Sequence, residues 1–255
     1  MKHTDTASEV TTLRYMVMHK TNAHWEAGAV PSPELIARVG KLLGEMANSK
    51  VLLGAEGLRA SSQGVRLRRS GGTWTATPGP FRGDNELPSG FTLLRVESVD
   101  QAIAWATRQA EVLGDEEIDI RPVTEPWDIG MAPAPEGKVA RRYMALRKAT
   151  AASEAGVALS PKQRADLTHL IDETRRTGML LAMETLRPSR RGRRYKNSRD
   201  GLRVMDGPFT ESKELIAGYV ILSAPSLEDA ARWATRYIDT VGAEEVDLRE
   251  LENSA

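Results

Sequence analysis

Trp105-Ala106-Thr107-Arg108 returns 128 positions later as Trp233-Ala234-Thr235-Arg236. The same shift lays Arg14-Tyr15-Met16 on Arg142-Tyr143-Met144 and Gly79-Pro80-Phe81 on Gly207-Pro208-Phe209. No gap is needed between residues 14–123 and 142–251, and 40 of the 110 aligned positions are identical. A period of this length is too long for a solenoid, whose units run to about 45 residues at most and cannot fold alone. The sequence therefore reads as two copies of one domain, 14–123 and 142–251. A polar tail covers 1–13, a connection 124–141 and a short end 252–255. Pro126, Gly130, Pro133, Pro135 and Gly137 make the connection read as a semi-extended linker.

Each copy repeats one pattern of elements. A short apolar strand at Arg14 to His19 (Arg142 to Arg147) precedes Ser32-Pro33 (Ser160-Pro161), where Ser caps a helix and Pro fits its first turn. Leu35, Ile36, Val39, Leu42, Leu43 and Met46 then recur at helical spacing. A strand at Val51 to Leu58, a polar hairpin, a strand at Phe91 to Val96, a helix from Ser98 to Leu113 and a last strand at Ile118 to Ile120 complete the copy. The order β-α-β-β-α-β is that of the ferredoxin-like split βαβ unit, an α+β fold with both helices on one sheet face. The other face carries apolar residues such as Tyr15, Val17, Phe91 and Leu93 and must be covered. The expectation is two tandem ferredoxin-like domains, each building its own sheet, packed sheet to sheet as an intramolecular pseudo-dimer of the dimeric α+β barrel type. Pairing between chains, as a homodimer, is the alternative.

Composition narrows the function classes. Lys+Arg and Asp+Glu both number 35, so no bulk charge advertises nucleic acid or a basic partner. Cys is absent, which excludes disulfides, thiol nucleophiles and thiolate metal sites. No His pair has ligand spacing and no Gly-rich phosphate loop occurs, so neither metal nor cofactor is expected. No run approaches the roughly 18–20 apolar residues of a membrane span, and Met1 to Glu9 lacks the apolar stretch of a secretory signal. A cytoplasmic location and no membrane partner are expected.

Asp206-Gly207-Pro208-Phe209-Thr210-Glu211-Ser212-Lys213-Glu214, followed by Gly218-Tyr219, closely resembles the signature loop of the YCII-related (DGPF) family. The family's Gly/Ala-x-Glu-x-Leu strand is matched at Gly54 to Leu58 and at Ala182 to Leu186, and its Ala-x-x-Trp-Ala helix at Ala102 to Ala106 and Ala230 to Ala234. Copy one departs from the loop: Pro78 to Glu86 lacks the first Asp, the middle Glu and the Lys. The resemblance implies a ferredoxin-like fold pairing into a barrel. It also implies relatives that act on small molecules through a His and an Asp, and others linked to sigma-factor transcription control. The early first-helix His of the YCII branch is not present in either copy, where Arg38-Val39 and Asp166-Leu167 stand.

Among individual residues, His19 and His24, with Trp25 and Glu26 beside them, are the histidines placed to reach a cleft as acid or base. Glu56 and Glu184 lie in apolar strands, where a carboxylate needs a partner; Arg187 or Lys213 is the expected partner of Glu184. The Gly-Pro-Phe loops are expected to deliver Phe81 and Phe209 to a pocket or sheet face, with Asp206, Glu211 and Lys213 clustered nearby. Arg187 to Arg199 holds seven cations and no acid, with Tyr195 among them. Its place on the domain hairpin favours a solvated hairpin or subunit contact over nucleic acid. The expected function is binding or transforming a small molecule in a cleft between the sheets, the fuller motif pointing to copy two. The alternative is a non-catalytic regulatory or interaction module.

Overall fold

The structure is a computed structural model that describes residues 12–82 and 85–252. The N-terminal half runs β1 (Leu13–Lys20), a one-turn helix α1 (Ala23–Glu26), α2 (Pro33–Asn48), β2 (Leu52–Gly57), β3 (Val65–Ser70), β4 (Thr73–Pro78), β5 (Pro88–Val96), α3 (Val99–Leu113) and β6 (Glu117–Pro122). The C-terminal half repeats that order. Its elements are β7 (Arg141–Lys148), α4 (Ala151–Ala155), α5 (Pro161–Arg176), β8 (Leu180–Thr185), β9 (Gly192–Ser198), β10 (Gly201–Asp206), β11 (Ile216–Ala224), α6 (Leu227–Val241) and β12 (Glu245–Glu250). Of the expected tail 1–13, residues 1–11 lie outside the described residues and Leu13 already begins β1; of the expected end 252–255, residues 253–255 lie outside them.

The helix ends follow their sequence signals. Ser32, Ser98, Ser160 and Ser226 each accept a backbone amide of the first turn, from Leu35, Gln101, Gln163 and Asp229. Gly114 and Gly242 close α3 and α6 in the left-handed conformation that only glycine adopts freely.

The strands form two antiparallel six-stranded sheets, in the orders β10-β9-β12-β1-β11-β2 and β4-β3-β6-β7-β5-β8. Each sheet therefore draws strands from both halves. β1 runs between β12 and β11, with Met16 opposite Arg249 on one side and Ile221 on the other, while β7 runs between β6 and β5. This corrects the expectation that each copy builds its own sheet: the intervals 14–123 and 142–251 do not coincide with the sheets. One sheet with its helices occupies the uninterrupted stretch 65–185, and the other is assembled from the two ends of the chain.

Three apolar clusters give the layering. Tyr15, Val17, Val220, Leu222 and Leu248 of the first sheet pack under α2 and α6 with Leu42, Met46, Ala234 and Ile238. Leu94, Ile118, Ile120 and Ala145 of the second sheet pack under α3 and α5 with Trp105, Ala106 and Leu170. Between them, Met16, Met18, Tyr219 and Ile221 meet Phe91, Leu93, Met144 and Leu146, so the two sheets share one core. Alternation along β1 fixes this: Tyr15 and Val17 face the helices while Met16 and Met18 face the other sheet.

The connection between the halves is tied down rather than extended as a tether. Pro126–Ile129 form a 3₁₀ turn. Asp128 pairs with Arg59 at 3.2 Å and with Arg141, and Glu125 pairs with Arg142 at 2.9 Å. No described helix is long and apolar enough to cross a membrane.

Candidate functional site

A cavity of about 430 Å³ opens beside the end of β1. Its polar centre is His19, which lies on the helix-facing side of the first sheet. Tyr237 of α6 meets it there, the phenol oxygen 2.9 Å from Nδ1 and the rings edge to face at 5.6 Å. Gly218 makes room for the imidazole, since a Cβ at that position would sit 2.7 Å from Cε1. Asn22 caps α1 by accepting the Trp25 amide, and Trp25 joins the cavity wall. Leu35, Ile36, Val39 and Leu43 of α2 form the opposite wall. The edge strand β2 contributes Ala55, Glu56 and Gly57, and Thr124, Asp128, Ile129 and Met131 of the connection close the side.

The charged groups around this cavity are paired, Lys20 of its lining with Asp247 at 3.0 Å. Burial pulls the His19 pKa down from 6.5 to about 4 and pushes the Tyr237 phenol above its ordinary value of 10, so both rings are uncharged at neutral pH. Burial also raises the Glu56 pKa, an effect that Arg142 opposes with a charged hydrogen bond. Arg59 and Asp128 neutralise one another. Among the described residues, His19 Nε2 has no hydrogen-bond partner. An imidazole whose conjugate acid has a pKa near 4 is a weak base, far from the near-neutral value that suits proton abstraction. The arrangement is better suited to recognition by hydrogen bonding in an apolar surround.

The 128-residue shift places a different set of side chains at the matching position of the second sheet: Arg147 for His19, Gln109 for Tyr237, Asp115 for Ala243, Thr185 for Gly57 and Met183 for Ala55. Arg147 is buried, with Nη1 3.6 Å from Asp115 and Nη2 donating to the Ser89 carbonyl at 3.4 Å. Gln109 Nε2 donates to Thr92 Oγ1 at 2.9 Å and approaches Met183 Sδ at 3.3 Å. Larger side chains thus occupy here what the His19 position leaves open.

The other expected residues fall elsewhere. The space between the sheets is filled by packed side chains, so the cleft expected there gives way to the cavity under α2. His24 is exposed and stacks on Trp25, outside the cavity lining. Glu184 pairs with Arg14 at 2.6 Å, the counterpart of Glu56 with Arg142, and not with Arg187 or Lys213. Arg187 pairs with Glu250 at 3.0 Å. Asp206 is exposed and held by Arg193, while Glu211 and Lys213 pair with each other, 3.4 Å apart in solvent.

The Gly-Pro-Phe loops carry a packing role. Phe81 and Phe209 lie under the Arg66 and Arg194 guanidinium groups, 4.8 and 4.5 Å from the ring centres. Their amides donate to Ser61 and Ser189 hydroxyls at 3.1 and 2.9 Å. A Cβ at Gly79 or Gly207 would stand 1.9 Å from the Ser61 or Ser189 carbonyl oxygen, so no other residue fits. Ser61 and Ser189 also bond Glu26 and Glu154, so Glu26 serves the loop rather than His19.

The basic run is largely neutralised within the chain. Arg191, Arg193, Arg194 and Lys196 pair with Glu250, Asp206, Asp247 and Glu245, and Tyr195 is buried under the helices. Among the described residues no group of three His, Asp or Glu is placed to hold a metal ion.

The strand and loop residues that carry this frame recur in both halves, and the second half matches a known family. Residues 142–251 match the YCII-related domain family. No curated protein and no solved structure matches the chain. The matched residues supply β9 to β12 and α6, with Tyr237, to the sheet that bears the cavity. His19, α2 and β2 come from the N-terminal half, outside the matched residues.

The sequence pointed to His19 and Glu56 but not to Tyr237, α2 or the connection. A position-by-position comparison of the halves carries the missing signal: small or neutral residues stand at Gly57, Ala55 and Ala243 where the other half has Thr185, Met183 and Asp115.

Proposed function

We propose that this protein binds a small, largely apolar, uncharged molecule in the cavity beside His19, with His19 Nε2 as the hydrogen-bonding group and Trp25 and the α2 side chains as the apolar wall. One observation carries the reading: of two positions related by the 128-residue shift, one is filled by Arg147, Asp115 and Met183 and the other is open around a neutral His19–Tyr237 pair. Its volume lies in the range of about 300–1,000 Å³ usual for small-molecule sites. Recognition comes first in this proposal, and any chemistry would use the same His19–Tyr237 pair.

The reading rests on a frame that we infer to be two diverged copies of one ferredoxin-like βαββαβ unit. The copies exchange their β1-α2-β2 and β7-α5-β8 portions and pair sheet to sheet, in the manner of a dimeric α+β barrel closed within one chain. The shared element order, the matching sheet orders and the shared inter-sheet core support it.

The test grafts the filled position onto the open one with His19→Arg and Ala243→Asp together. The tryptophan fluorescence of the chain, to which Trp25 and four other Trp contribute, is followed during titration with a panel of uncharged aromatic and aliphatic alcohols, amides and lactones, each paired with its charged acid analogue. At least one uncharged compound is expected to quench the wild-type chain saturably and to bind the doubly substituted chain at least tenfold more weakly. Equal binding by both chains, or preference for the charged analogues, would sink the proposal.

A further inference from the structure

Two buried ion clusters flank the core shared by the sheets and are related by the same 128-residue shift. In the first, Arg66 donates through Nε and Nη2 to Asp119 at 2.6 and 2.7 Å and through Nη2 to Glu86 at 2.9 Å. Lys148 Nζ bonds both Asp119, at 2.6 Å, and Glu86. Glu86 therefore bridges the two cations, and it is 2% exposed. In the second, Arg194 donates to Asp247 at 2.6 and 2.9 Å. Lys20 Nζ lies 3.0 Å from Asp247 without hydrogen-bond geometry. Lys20 is 4% exposed, and its ammonium has no hydrogen-bond partner among the described residues. Glu214, the counterpart of Glu86, has an exposed side chain.

We propose that Lys20 Nζ and the Arg194 guanidinium form a carboxylate-binding site, filled by Glu214 of the same chain or by the carboxylate of a small free acid. Arg194 is already held by Asp247, by Glu245 at 3.2 Å and by the Glu211 carbonyl, so the open position is at Lys20: a carboxylate in the place that Glu86 takes in the first cluster gives its ammonium a hydrogen-bonding anion beside the Asp247 ion pair. The backbone already permits the internal source. Ala149 N donates to the Leu87 carbonyl and Thr21 N to the Leu215 carbonyl, each at 2.8 Å, so Glu214 enters its strand in the register of Glu86. An external carboxylate would come in past the end of β1, where Thr21 and Asn22 line a cleft of about 350 Å³ with Lys213, Glu214 and Glu86; Lys20 and Arg194 are not themselves part of that lining.

Melting temperatures of the wild-type chain and of Glu214→Gln in sodium chloride and in sodium acetate, at matched ionic strength and pH 7, separate the sources. If Glu214 is the occupant, Glu214→Gln melts about 5 °C lower in chloride, the size of one charged hydrogen-bonded contact in a chain of this length. Acetate then recovers part of the loss and leaves the wild type unchanged. If a free acid is the occupant, acetate raises both chains alike. Either result is accompanied by movement of the Lys20 ¹³Cε resonance, and Lys20→Met abolishes the acetate response. Should Lys20→Met fail to fold, the Lys20 resonance in the folded chains decides. No change with Glu214→Gln, none with acetate and an unmoved Lys20 resonance would overturn the proposal.

Discussion

His19 and Arg147 occupy the same point of two sheets built to one plan, yet one borders a cavity and the other fills its place. The frame around them is held in common. Glu56–Arg142 and Glu184–Arg14 match, Ser61–Glu26 and Ser189–Glu154 match, and both Gly-Pro-Phe loops rest under an arginine. The difference lies in the side chains that line the opening, in the α2 wall and in the connection, which closes one side of the cavity and falls outside the aligned residues, so the frame and the opening are separable properties. A packed interior tolerates an opening of this size only where the surrounding elements stand without it. Here the loop, ion-pair and inter-sheet contacts provide that support.

The largest expected effect breaks the likeness of the two ion clusters. In a Glu214→Gln background, Asp247→Asn removes the one carboxylate that pairs with Lys20 among the described residues and is expected to cost about 3–5 kcal/mol, the usual penalty for stranding a buried charge. Asp119→Asn in the same background is expected to cost less than half of that, because Glu86 still bonds Arg66 and Lys148. Urea unfolding midpoints of the two variants measure the gap, and equal losses would show that the clusters are energetically alike.

The next effect is a pH dependence confined to one position. The folded-state pKa of His19, about 4, lies below its unfolded value of 6.5. Between these values the unfolded chain takes up a proton that the folded chain does not, so stability falls as pH drops from about 6.5 to about 4. The contribution is on the order of 2–3 kcal/mol. The matching position carries Arg147 and no imidazole, so His19→Asn is expected to remove that slope and Arg147→Gln to leave it. Guanidinium unfolding of the three chains at pH 7 and pH 5 reads the difference.

The smallest effect separates the two halves of the repeated Trp-Ala-Thr-Arg motif. Trp105 is buried, and its Nε1 donates to Thr174 Oγ1 at 2.7 Å, whereas Trp233 is half-buried with Arg236 4.7 Å over its ring. Trp105→Phe is expected to cost about 1–2 kcal/mol for the lost hydrogen bond and ring volume, the Thr174 hydroxyl keeping its bond to the Leu170 carbonyl. Trp233→Phe should stay within about 0.5 kcal/mol, typical of a surface change. Thermal melting distinguishes them.

Much of the secondary structure is legible in the sequence, because capping serines, helical spacing in α2 and the apolar strands are local signals. The choice of which half completes which sheet is not. β1 meets the same kinds of residue on β11 as β7 meets on β5, so pairing within a copy and exchange between copies satisfy the same alternation, and no local preference separates them. His19 and Glu56 stood out as polar residues in apolar surroundings. Tyr237 did not, because an aromatic residue on a helix reads as ordinary core until the facing strand is known. The partners of Glu184 and Glu56 were missed for a related reason. Arg14 and Arg142 lie 170 and 86 residues away from them, and only the exchanged topology brings each pair together.

The pairing of strands from the two ends of the chain also fixes an order in time. As the chain is synthesised, β1 emerges among the first residues but its neighbours β11 and β12 are the last elements made, so nearly the whole chain must be present before that sheet closes. The stretch 65–185 contains every strand and both long helices of the other sheet and can assemble first. Until then Met16 and Met18 have no surface to cover them. Contacts spanning more than 200 residues are slow to form. The cavity, whose polar pair joins His19 near the start to Tyr237 near the end, is among the last features of the molecule to come into being.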